Sequence, residues 1–281
     1  MLDRKAVESY REDGYVKVSG LFTDGETTEL ATDMTRVIEQ WGQETIGWRG
    51  PWRDRYLPED ERLNTKAVFM HNPHFYSAAW GRVMFHEKLT EAVQDLVGGT
   101  IQWHHTVLHA KPPDLGTPFP MHQDWAFYKH EDGRYIDCLV HLDDTDDSNG
   151  CIRFLAGSHK GGALEHVVQN PDGTSCTPHL PTDEHDLEDT VPIPARRGDV
   201  VVFSIHTIHG SHINRTDRNR RLVRIGYRHP DNIQTAGQST GRPGLMVLGR
   251  RMRRRGQERV PVAYLVGHKE FYGLNMTVSP D

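Results

Sequence analysis

The segments IQWHHTVLHAK (Ile101–Lys111), YIDCLVHLDD (residues 135–144), IRFLAG (152–157), DVVVFSIHTIHG (199–210) and RLVRIGYRH (221–229) decide the fold. Each is short, rich in β-branched and aromatic residues, and bounded by clusters of Pro, Gly, Asp and Asn, as strands separated by turns are. Such a succession predicts an antiparallel sandwich or barrel. Toward the N-terminus the pattern is different. Arg4 to Asp13 is charged and helical, and YVKVSGLF (15–22) alternates like a strand. Thr23 and Asp24 suit a helix cap before GETTELATDMTRVIEQW, which has apolar residues at helical spacing. The stretch WRGPWRDRYLPEDERLN (48–64) has no period and is expected to be a long loop, a candidate lid. Residues 87–97 form a further helix, ended by Gly98 and Gly99.

These readings place a helical N-terminal elaboration over about residues 1–100, a β core over 101–230 and an extension over 231–281, within one domain of 281 residues. The expected class is mainly β with flanking helices. The chain is 36% hydrophobic with 6 Trp, 9 Tyr and 9 Phe, enough for a core. Its N-terminus carries charges of both signs and no long apolar run, so neither a signal peptide nor a membrane span is expected. Cys138, Cys151 and Cys176 show no CxxC spacing, which argues against a disulfide framework and for a reducing cytoplasm. A formal charge of -6 gives no reason to expect a nucleic-acid partner. The basic run Arg250, Arg251, Arg253, Arg254, Arg255 could grip a phosphate or an acidic partner, but a solvated loop or edge is the commoner explanation, and no function is placed on it.

The sharpest chemical signal is MHQDW (121–125), with His122 and Asp124 two residues apart. On a strand both side chains leave one face and can reach one ion together. A third ligand has to come from elsewhere, and DVVVFSIHTIHGS offers His206 and His209, with His212 just beyond. Two imidazoles and one carboxylate leave three octahedral positions open, the arrangement of non-haem iron(II) oxygenases. Zinc more often takes three histidines, or cysteines, in a closed tetrahedron, so hydrolytic zinc ranks second. Arg220 follows His209 by eleven positions, where a returning strand can bring its planar fork to a carboxylate beside the metal.

Taken together, KPPD (111–114), MHQDW, DDTDDSNGCIRFLAGSHK, RRGDVVVF, TIHGSHINRT and the following Arg220 resemble the phytanoyl-CoA dioxygenase family of iron(II), 2-oxoglutarate oxygenases, which includes ectoine hydroxylase. The resemblance covers roughly residues 15 to 230. It implies a double-stranded β-helix, the cupin-like jelly roll, with the metal at one open end. It also implies Fe(II), with 2-oxoglutarate and dioxygen as co-substrates, and it selects His209 over His206 and His212 as the third ligand, because the family's second histidine stands directly before Gly-Ser. The family's spacing likewise selects Arg220 over Arg221 for the co-substrate, a choice that strand alternation leaves open. Ser211 is implied as a helper of Arg220, and His105, Val107 and His109, on one face of their strand, as lining of the co-substrate side. Ectoine hydroxylases present amides on that strand, where this chain presents histidines. Related halogenases lack the carboxylate that this chain keeps as Asp124.

For the substrate, Trp125, Phe127 and Tyr128 are expected to border the cavity, and the 48–64 loop offers Trp48, Arg49, Trp52, Arg53 and Arg55 to a polar ligand. The low hydrophobic content disfavours a long fatty-acyl chain. The expected partner is a small molecule, either a polar metabolite or a glycosylated natural product, oxidised by hydroxylation or by ketone formation, desaturation or cyclisation. No oligomeric state follows. The competing readings are a non-catalytic metal-binding jelly roll and a metallohydrolase.

Overall fold

A computed structural model describes residues 1–241 and 244–251. Residues Met1–Gly249 form one unit. Of the basic run, Arg253, Arg254 and Arg255 lie outside the described residues. In chain order the helices are α1 (Arg4–Asp13), α2 (Asp24–Trp41), α3 (Arg53–Tyr56), α4 (Ala78–Val83) and α5 (Glu87–Val97). The strands are β1 (Tyr15–Val18), β2 (Glu44–Thr45), β3 (Ala67–His71), β4 (Ile101–Lys111), β5 (Phe119–His122), β6 (Tyr135–His141) and β7 (Arg153–Phe154). They continue as β8 (Val167–Gln169), β9 (Ser175–His179), β10 (Val191–Pro192), β11 (Val200–Ser204), β12 (His209–Ser211), β13 (Arg220–Arg228) and β14 (Leu245–Leu248).

All strand pairings are antiparallel. The large sheet runs β1-β11-β6-β13-β4-β3-β2, with β14 also on β4; the small one runs β10-β7-β12-β5. β8 and β9 pair separately. The two sheets face each other as a jelly roll, and Leu139, Ile152, Phe154, Val201, Phe203 and Leu222 pack between them. Strand alternation explains the two-sided burial. On β6, Ile136, Cys138 and Val140 point to the helices, while Leu139 points inward. On β13, Val223, Ile225 and Tyr227 share the helical side. The helices cover this outer face with Leu30, Met34, Val37, Trp80, Leu89 and Val93, each buried large side chain stabilising by about 1.5–3 kcal/mol. β14 lies in the segment expected to be an extension beyond the core, yet it completes an edge of the large sheet.

α2 begins with the expected cap. The Thr23 hydroxyl accepts from Glu26 N at 3.3 Å, and the Glu26 carboxylate accepts from Thr23 N at 2.8 Å. The 48–64 stretch differs from an open lid. It contains α3 and a 3-10 turn, and the buried Arg53 guanidinium donates to the carbonyls of Arg62 (2.8 Å) and Trp48 (2.6 Å) and to the Thr65 hydroxyl. Arg49 is stitched to β9 through both its N–H and its carbonyl, which meet Thr177. No helix among the described residues is long and apolar enough to cross a membrane.

Candidate metal centre

β5 ends at His122, Gln123 is extended, and Asp124 opens a 3-10 turn, so the first two candidate ligands straddle the end of a strand. In the β5–β12 pair His209 stands opposite His122, with ring centroids 4.1 Å apart. Each imidazole donates its Nδ1–H to the carbonyl two residues earlier, His122 to Pro120 at 2.8 Å and His209 to Thr207 at 2.9 Å. A carbonyl can only accept, so the proton is fixed on Nδ1 and the Nε2 lone pairs are free. Those Nε2 atoms lie 3.7 and 3.9 Å from Asp124 Oδ1, and all three donor atoms fall within 4.8 Å of one another. Asp124 Oδ2 has no partner although it is buried. Two convergent imidazoles and a carboxylate oxygen left unsatisfied fit a divalent ion with O and N preferences, which is iron(II) chemistry. His206 and His212 are not part of this group.

Beside the triad is a small cavity of about 40 Å³ that extends between the sheets. At one end lie Arg220 and Ser211, both 1% exposed. Ser211 is two residues past His209 on β12 and so faces the same way. Arg220 Nε donates to Gly150 O at 3.0 Å, while its Nη1 is buried without a partner. Across the β13–β4 register, Arg220 faces Lys111, whose Nζ donates to Ser211 Oγ at 2.8 Å and to His212 O. Among the described residues, neither cation has an ion-pair partner. Burial lowers both, Lys111 well below its ordinary value with help from Arg220, and Arg220 to about 10, where it stays charged at neutral pH. A buried guanidinium with an unpartnered Nη1 at an apolar-walled cavity is costly until an anion joins it. A cation in the same cavity as a metal site offers an anchor to a carboxylate of a metal-bound molecule.

Of the residues expected on the co-substrate side, His109 lines the cavity with both ring nitrogens unpartnered. Val107 is buried but is not among the lining residues. His105 departs from expectation. It is held behind the cavity by the Tyr135 hydroxyl (3.1 Å), Arg224 Nη2 (3.1 Å) and His104 Nδ1 (2.7 Å). Of the expected substrate residues, Phe127 meets His122 edge-on at 5.7 Å and Trp48 at 5.2 Å. Trp125 instead donates to His130 O at 3.1 Å, and Tyr128 is fully buried against Asp137 and Arg224. Trp52 and Arg53 lie away from the lining: Trp52 packs on Tyr56, and Arg53 ties down its own loop. From that loop it is Trp48 that reaches the cavity, stacked on Phe119 at 4.8 Å and edge-on to His122 at 4.5 Å.

Two residues with no role assigned from sequence belong to the site. Lys111 continues the alternation of His105, Val107 and His109, and that period places it inward. Arg224 follows Arg220 by two same-face steps of β13 and lines the cavity beside the triad, with Nη1 2.5 Å from Asp124 Oδ1. Burial alone would raise the Asp124 pKa, but Arg224 and both imidazoles hold it well below the usual carboxylate range. Asp137, further in, is raised by burial and by Asp124.

A model of the phytanoyl-CoA dioxygenase family matches residues 10–222. The chain is 28% identical over 249 residues to a probable alpha-ketoglutarate-dependent hypophosphite dioxygenase of Stutzerimonas stutzeri, covering 86% of this chain and 84% of that protein. It is 26% identical over 250 residues to ectoine dioxygenase of Bordetella parapertussis, covering 82% of this chain and 77% of that one. Among solved structures, the non-haem alpha-ketoglutarate-dependent carbocyclase SnoK from nogalamycin biosynthesis shares the fold, with a TM-score of 0.66, 21% identity and coverage of 84% of this chain and 88% of that one. With the triad formed and the family model spanning most of the sequence, the chain belongs to the phytanoyl-CoA dioxygenase family, as a 2-oxoglutarate-dependent dioxygenase whose iron is held by His122, Asp124 and His209.

Proposed function

We propose that this oxygenase acts on a small polar metabolite or a glycosylated natural product in the cytoplasm, with hydroxylation as the default outcome. The observation that carries the site assignment is the unpartnered buried Nη1 of Arg220, in the same cavity as the triad. A non-catalytic jelly roll or a metallohydrolase has no use for it. When bound, iron(II) with 2-oxoglutarate and dioxygen supplies the oxidation of a C–H bond, with release of succinate and carbon dioxide.

The chain's own residues do the rest. His122, Asp124 and His209 would hold the ion, and the cavity that they line is open to its other ligands. Arg220 holds the distal carboxylate of 2-oxoglutarate. Ser211 Oγ already accepts from Lys111, so its own hydroxyl proton is free to be given to the same carboxylate. Leu139, Ile152, Phe203 and Leu222 keep this end dry, which strengthens both contacts. His109 is kept neutral by burial and offers a donor and an acceptor to a polar group.

Trp48 and Phe127, both half-buried beside His122, supply aromatic faces where substrate meets the metal site. Aromatic flanks with polar neighbours suit compact polar molecules and sugar rings better than acyl chains. The named substrates of the two curated relatives, hypophosphite and ectoine, are small and polar, which supports the same class for this chain. Ketone formation, desaturation and ring closure remain outcomes of the same machinery, and a place in secondary metabolism suits a glycosylated substrate.

The test is to load the protein with iron(II) without oxygen, add 2-oxoglutarate, and follow the absorption of the complex. Oxygen and a panel of polar metabolites and glycosides then follow, with succinate as the readout. Succinate coupled to one class identifies the substrate; no 2-oxoglutarate complex and no succinate would sink the assignment.

A further inference from the structure

β5 carries His122 and leads straight into Asp124, yet it is an edge strand of the small sheet, paired only with β12. An edge leaves backbone groups without ladder partners, and Gln123, between the two ligands, is fully buried. The missing partners come from the residues at the two ends of the β8–β9 hairpin. Leu180, just after β9, donates its N–H to Met121 O at 2.8 Å, and His166, just before β8, accepts the Gln123 N–H on Nε2 at 3.0 Å. His166 is committed to this role, because its Nδ1–H goes to Leu164 O at 2.9 Å and leaves the Nε2 lone pair to accept.

The Gln123 side chain extends the connection. Its Oε1 accepts from Leu164 N at 2.8 Å, and its amide group donates to Gly162 O and His206 O, both at 2.7 Å. Its carbonyl accepts from Ala126 N at 3.1 Å, within the turn that holds Asp124. Every polar group of Gln123 is therefore engaged. The bond to His206 bears most directly on the metal, since the next carbonyl, that of Thr207, accepts the Nδ1–H of His209 at 2.9 Å. Gln123 thus lies between His122 and Asp124 in sequence and also reaches the backbone that orients the third ligand. Filling space does not require this: an apolar residue packs a buried position without having to find partners for an amide.

We propose that Gln123, with His166 behind it, is a positioning residue that fixes His122, Asp124 and His209 relative to one another and so sets how tightly, and in what geometry, the metal is held. By reciprocity, a metal that gains from this arrangement steadies it in return, so that filling the site stabilises the 162–166 segment at the foot of β8. The inference concerns the metal centre and holds whatever substrate is oxidised.

Hydrogen exchange of the full chain, followed by mass spectrometry with and without iron(II) under nitrogen, tests the reciprocal effect, with α5 on the outer face as the reference. Exchange over residues 162–166 should slow at least tenfold more than exchange in α5. Gln123→Leu should weaken iron(II) binding at least tenfold, abolish that selective protection and shift the d–d absorption of the cobalt(II)-loaded protein. His166→Gln keeps an acceptor for the Gln123 N–H and should retain most of the iron affinity, whereas His166→Leu should lose at least fivefold. Wild-type iron affinity and an unshifted cobalt(II) spectrum in Gln123→Leu, whatever its melting temperature, overturn the proposal and leave Gln123 a purely structural role. Equal losses in the two His166 variants overturn the part given to His166. Absence of selective protection in the wild-type protein also overturns the proposal, and this comparison decides the matter even if Gln123→Leu does not fold. If the wild-type chain takes up no iron(II), the triad assignment itself has failed and this inference falls with it.

Discussion

Lys111 Nζ donates to Ser211 Oγ over 2.8 Å, joining two residues one hundred positions apart. With Lys111 as the donor, the Ser211 oxygen is the acceptor in this bond and its own hydroxyl proton is directed elsewhere. Lys111→Met removes that orientation with little change in volume. The expected effect is 2-oxoglutarate affinity weaker by about 1 kcal/mol, roughly fivefold, measured by anaerobic titration of the iron(II) protein. Unchanged affinity for 2-oxoglutarate would show that Lys111 serves packing alone.

Arg220→Gln takes away the charge and the fork that face the cavity. The interaction with a carboxylate should weaken by about 2 kcal/mol, or roughly 30-fold in the concentration of 2-oxoglutarate needed for half-maximal succinate formation. Substrate affinity, measured at saturating 2-oxoglutarate, should change little. A rise confined to the substrate constant would contradict the placement of the co-substrate carboxylate at Arg220.

Asp124→Ala should lower bound iron at least tenfold by metal analysis, because one ligand of the triad is gone. It should also destabilise the metal-free protein by about 3 kcal/mol, since Arg224 loses the carboxylate 2.5 Å away and is left buried. The double variant Asp124→Ala with Arg224→Met should regain much of the thermal stability and none of the iron. If the double variant unfolds as early as the single one, Arg224 and Asp124 are not coupled.

The α2 cap has a pH signature. Its hydrogen bonds with the Thr23 backbone and hydroxyl lower the Glu26 pKa to about 2, from an ordinary 4.5. A depressed folded-state value means the contribution is present above pH 4.5 and is lost as pH falls toward 2. Thr23→Ala should cost about 1 kcal/mol near neutral pH, and the gap to wild type should narrow below pH 4.5. Urea melts at pH 7 and pH 3 test this, and an identical gap at both would count against the cap. The Glu26 side chain is half-exposed, so solvent screening makes the effect modest.

Much of the molecule was readable from local chemistry. The limits of α1 and α5 follow from their charges, periodicity and terminal glycines, because helix ends are set by neighbours in sequence. The strands of the core were legible through composition. Residues such as Val200, Val201 and Val202, buried on both faces, carry no alternation that tells which side is inward. The triad was recoverable because its order and spacing match a family. Spacing by itself left His206, His209 and His212 open, and only the register of β12 against β5 brings His209 opposite His122.

What the sequence determined alone is therefore the class of strands and helices, the HxD pair and the 2-oxoglutarate oxygenase class, since each rests on short-range pattern or on motif order. What tertiary structure decided is which side chains meet. Trp48 rather than Trp52 reaches the iron site because Arg53 binds the Trp48 carbonyl and fixes the loop from behind. His105 sits behind Arg224 while His109 remains in the cavity, although both leave the same face of β4. Lys111 touches Ser211, and Arg224 touches Asp124, through pairings between distant strands. Period two fixes the face a residue leaves from, but only the packing of two sheets fixes what waits for it there.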